Sequence, residues 1–85
     1  MHYDDDIAFQ RAILANPADT TLKLVYADWL QERDDPRAEF VRLQVELHTT
    51  RSTAAAVNAA AWFLRMGNQL DPDWVALIRK SFTRS

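Results

Sequence analysis

Along most of the chain, apolar residues recur at spacings of three and four, and alternation of apolar with polar is nearly absent. That period belongs to helices with one buried stripe rather than to half-buried strands. The clearest instance is Leu22, Val25, Tyr26, Trp29 and Leu30, which share one helical face and predict a helix from Thr20 or Thr21 to Arg33. Upstream, Phe9 and Ile13 mark the inner face of a first helix. It is expected to open after Asp4, Asp5 and Asp6, whose carboxylates suit the positive end of a helix dipole, and to stop near Asn16 before Pro17.

Two aspartate-proline pairs punctuate the rest. Aspartate accepts hydrogen bonds from free amides at a helix start, and proline loses nothing in the first turn, where its missing N–H would be unpaired anyway. Asp35 is therefore expected to cap a third helix, Pro36 to about His48, with Phe40, Val41, Leu43, Gln44, Leu47 and also Arg37 on one arc. Asp71 is expected to cap a last helix carrying Trp74, Leu77, Ile78 and Phe82 on one side. Between them, after the polar link Thr49 to Ser52, an alanine-rich stretch predicts a fourth helix that ends at Gly67, the single glycine. The fold class is all-α: one small domain, residues 1–85, bundling about five short helices.

The fourth helix departs from the pattern of the others. Val57, Ala60, Ala61 and Leu64 make one apolar face, while Ala55, Ala59, Trp62 and Met66 make another roughly opposite. A helix apolar on both sides is either central to the core or covered by a partner. In a chain this short, surface dominates volume and a central helix is hard to enclose. Trp62, Phe63 and Met66, with Ala55 and Ala59, are accordingly expected to form a partner-binding surface.

Composition narrows the functional classes. Ten basic and twelve acidic residues are interspersed and give a net charge of −2, which offers no electrostatic footprint for a nucleic-acid backbone. A small basic cluster, Arg79, Lys80 and Arg84, is the exception. The acidic N-terminal stretch does not resemble a secretory leader, the chain has no cysteine, and no apolar run approaches the ~20 residues of a membrane span. A cytoplasmic protein is expected. His2 and His48 are far apart with no nucleophile paired to them, and one glycine cannot build a phosphate-binding loop. No cofactor is expected.

The block Tyr26-Ala27-Asp28-Trp29-Leu30, Glu32-Arg33, Asp35-Pro36-Arg37-Ala38-Glu39-Phe40 and Arg42-Leu43-Gln44 resembles the bacterial repeat-companion domain family, as does the upstream Phe9 to Pro17. The resemblance covers residues 1–48, leaving 49–85 as a C-terminal helical extension. It implies a helical module of the kind found at one end of larger repeat proteins, and it implies no catalytic residues. The family usually has glycine where Asp34 stands, a position that would close the second helix in a left-handed conformation.

The acids Asp28, Glu32, Asp34, Asp35 and Glu39 suggest two readings. One is a carboxylate cluster for a cation or for acid-base chemistry in a small metal-dependent enzyme. The other, favoured because a cation loop needs a glycine turn and regularly spaced ligands, is a helix corner whose acids are neutralised by arginines. In that corner Arg37 is expected to brace the structure by pairing with Asp28 or Glu32 of the second helix. A helix-turn-helix reading would bring Glu39 and Glu46 toward phosphates and is disfavoured. The expected function is therefore a non-enzymatic protein–protein interaction module, an accessory subunit or adaptor for a separately encoded protein or for copies of itself.

Overall fold

The computed structural model describes residues 2–82, with side chains from residue 5 onward. Among these residues the chain forms five helices and no strand: α1 His2–Ala15, α2 Thr20–Gln31, α3 Arg37–Thr50, α4 Thr53–Met66 and α5 Pro72–Ser81, with a 3-10 turn at Gly67–Gln69 leading into α5. Thus the acidic run lies inside the first turns of α1 rather than ahead of it. Arg84 lies outside the described residues.

The helix starts follow the side chains present. Asp19 accepts from the Leu22 amide at the start of α2, and the Ser52 hydroxyl accepts from Ala54 and Ala55 at the start of α4. Asp71 accepts from the Asp73 amide and caps α5 as expected. Asp35 accepts from the Arg37 amide while its carbonyl takes the Ala38 amide, so it too caps, although the helix is assigned from one residue further on.

At the other end of α2, Asp34 sits at φ 54. Its amide bonds to the Gln31 carbonyl and the Asp35 amide reaches back to Leu30, the paired bonds of a left-handed helix terminus. Aspartate thus adopts the conformation a glycine would take there. Gly67, by contrast, stays right-handed at φ −58. A Cβ at this position would lie 3.0 Å from the Phe63 ring, which would have to give way by a few tenths of an ångström.

α3 lies between α2 and α4, while α1 rests on both α2 and α5. The core is built from Ile13 of α1, Tyr26 and Leu30 of α2, Phe40 and Val41 of α3 and Ile78 of α5, all essentially solvent-free. Phe40 is the meeting point of the halves, with ring centroids 5.5 Å from Trp74, 5.9 Å from Phe63 and 6.0 Å from Trp62. One assignment within the α2 stripe is corrected: Val25 is 48% exposed, and Lys23 is buried in its stead.

Candidate interaction surface

The charged stretch from Leu24 to Phe40 is drawn into a polar brace through the body. The Tyr26 hydroxyl donates to Asp6 at 2.5 Å and accepts from the Trp74 indole at 3.0 Å. Asp6 also accepts from Arg37 at 3.2 Å, and Asp35 holds the same guanidinium at 2.8 Å and 3.0 Å. Four helices, α1, α2, α3 and α5, are joined by this one chain of bonds. Burial, reinforced by the bond to Asp6, pushes the Tyr26 hydroxyl above its ordinary range. Burial alone would raise the Asp35 carboxyl, but the hydrogen bonds and charge of Arg37 outweigh it and hold that carboxyl below its ordinary value.

Arg37 is therefore a brace, but not with the partners expected from spacing. Asp28 pairs instead with Arg42 at 2.7 Å, and Gln31 bonds the same guanidinium. Glu32 stands 3.9 Å from Arg33 on the surface. Arg37 points toward α1, which brings Asp6 within reach across the core, whereas Asp28 and Glu32 lie on the outer side of α2. Among the described residues no three His, Cys, Asp or Glu side chains are gathered as metal ligands would be.

Sequence patterning gave no sign of Lys23. Its ammonium donates to the Pro17 carbonyl at 2.6 Å and to Ser81 at the end of α5 at 3.1 Å, and lies 3.6 Å from the Phe82 ring centroid. The His48 ring stacks on Phe82 at 4.6 Å. Burial lowers the Lys23 pKa, with the charge of Asp19 opposing. The lysine ties the last turn of α5 to the loop before α2, supplying donors to carbonyls that a helix end leaves unpaired.

α4 presents the opposite chemistry. The expected partner surface is reversed by the structure: Ala55 and Ala59 are buried, Trp62 and Phe63 close against Phe40, and Met66 is half-buried. The face turned outward is the other one, with Val57 60% and Leu64 81% exposed and Ala60 and Ala61 between them. Beside this ridge runs a groove of about 390 Å³, floored by Leu47, Ala59 and Phe63 and closed along one edge by Arg79 of α5. Arg79 is not loose there; its guanidinium rests 4.6 Å from the Phe63 ring centroid. A second apolar cleft, about 460 Å³, opens between α1 and α2 over Phe9, Ala12, Leu22 and Trp29.

No family model, characterised protein or solved structure matches this chain. No helix among the described residues is long and apolar enough to cross a membrane.

Proposed function

We propose that this chain is a non-enzymatic interaction module, an adaptor or accessory subunit that offers the outer face of α4 to another protein surface. The observation that supports it is the exposure of Val57 and Leu64 on a helix with one charged residue, Arg65, from Thr53 to Met66. Exposed aliphatic side chains aligned on one face, beside an apolar groove, are the composition of a contact surface rather than of a solvated helix. The polar brace serves this function indirectly by holding α3, and through Phe40 the inner face of α4, in a fixed position.

The carboxylates of the charged turn have structural employment in this reading. Asp35 and Asp6 neutralise Arg37, and Asp28 neutralises Arg42. Retrieval of the tagged chain from its native cells, run in parallel with Leu64→Glu, tests the proposal. A protein held by the wild type and lost with the variant, whether a different chain or a copy of this one, is the expected result. Retrieval of the same protein by both would remove α4 as the contact.

A further inference from the structure

The face of α4 carries a protrusion and a recess side by side. We infer that its occupant is a second copy of this chain, related to the first by a two-fold axis running along α4. This rests on the reading of α4 as the interaction surface and names what covers it.

Shape supplies the first argument. In an isologous contact one patch must provide both halves of the fit. Here the Val57–Leu64 ridge stands next to the groove between α4 and α5. A two-fold axis lying in this face and parallel to α4 seats each copy's ridge in the other's groove. The groove is lined mainly by Leu47, Ala56, Ala60 and the Phe63 ring, with Gln44 and Arg79 as its polar members, and accepts branched side chains without burying a carboxylate.

Charge supplies the second. α5 runs back alongside α4, since Pro72 shares a hollow with Gly67 while Arg79 lines the groove with Ala56 and Ala60. Asp73, exposed on α5, therefore lies level with the C-terminal end of α4. Arg65 lies on the flank of α4 away from the groove, as its 100° steps from Phe63 and Leu64 require. The same two-fold axis lays α5 of the second copy across that flank and brings its Asp73 to Arg65. Neither residue has an ion-pair partner among the described residues of its own chain.

Area sets the strength. A 14-residue helix is about 21 Å long, and a contact of that length buries roughly 400 Å² per copy, half of a standard interface. A contact of that size belongs with weak, transient interfaces, so assembly is to be sought between ~10 μM and ~1 mM.

Sedimentation equilibrium of the purified chain across that concentration range tests the inference, with circular dichroism confirming that each variant is folded. The wild-type average mass should climb toward twice the monomer. Leu64→Glu should stay monomeric throughout, Arg65→Asp should dimerise several-fold more weakly, and Arg65→Asp with Asp73→Arg should recover the wild-type curve. A flat wild-type mass, or a dimer that survives Leu64→Glu, overturns the second copy as occupant. Failure of the charge swap to recover overturns the two-fold arrangement. A monomeric wild type that still loses a retrieved protein with Leu64→Glu overturns only the second copy, leaving the interaction-module reading in place.

Discussion

Around Tyr26 polar groups are matched one to another: an indole donates to the phenol, the phenol to Asp6, and Arg37 spans Asp6 and Asp35. Along the outside of α4 there is one charged group, Arg65, and the aliphatic side chains of Val57 and Leu64 stand in solvent. Both regions attract attention for their residues, but for opposite reasons. The first is dense in charge and internally satisfied, so it stabilises without needing anything from outside. The second is poor in charge and open, so it has free energy to gain from a partner. Charge density alone thus points away from the surface proposed here as the contact.

The comparison can be broken in several ways, and the largest effect is expected where the regions join. Phe40→Ala removes a ring that touches Trp62, Phe63 and Trp74 and should destabilise by about 3–5 kcal/mol in chemical denaturation. A smaller loss would mean that α4 and the body are not coupled through this residue. Within the brace, Arg37→Ala leaves Asp6 and Asp35 without their cation and should destabilise by about 1–3 kcal/mol. An unchanged unfolding midpoint would show that the network is ornamental.

Acid should weaken the same network. Because the folded-state pKa of Asp35 lies below its ordinary value of 3.8, its contribution is fully present above that pH and is lost as pH falls through the folded value. Stability measured from pH 5 downward should therefore decline more steeply in the wild type than in Asp35→Asn; parallel curves would contradict the pairing. At the neighbouring turn, Asp34→Gly relieves a left-handed aspartate at φ 54 and should stabilise by about 0.5–1 kcal/mol. The smallest effect sharpens the contrast most: Leu64→Glu, at a position 81% exposed, should change stability by less than about 0.5 kcal/mol while abolishing association.

The helix count was readable because its signals are local. Asp71 and Pro72, the Asp35-Pro36 pair and the residues before Pro17 announce starts and stops without reference to the rest of the fold. What stayed hidden depends on distant partners. Arg37 meets Asp6, 31 residues upstream, and Lys23 meets Ser81, 58 residues downstream, and no spacing rule along one helix can supply either. Hydrophobic ranking also misplaces Lys23 and Val25, since four methylene carbons and two carbonyl acceptors can bury a lysine better than the fold buries a neighbouring valine. On α4, periodicity finds two apolar faces but not which one turns inward. Trp62 and Phe63 settle it through Phe40, whose large ring offers them a seat that Val57 and Leu64 cannot fill.

The central claim is that contact with other molecules occurs on α4 and not at the charged turn. Amide chemical shifts of the labelled protein, followed as it is diluted from millimolar concentration, test this most directly. Shifts that move at Val57, Ala60, Ala61 and Leu64, with Leu24 to Phe40 unmoved, are the predicted result, and shifts concentrated between Asp28 and Glu39 would contradict it.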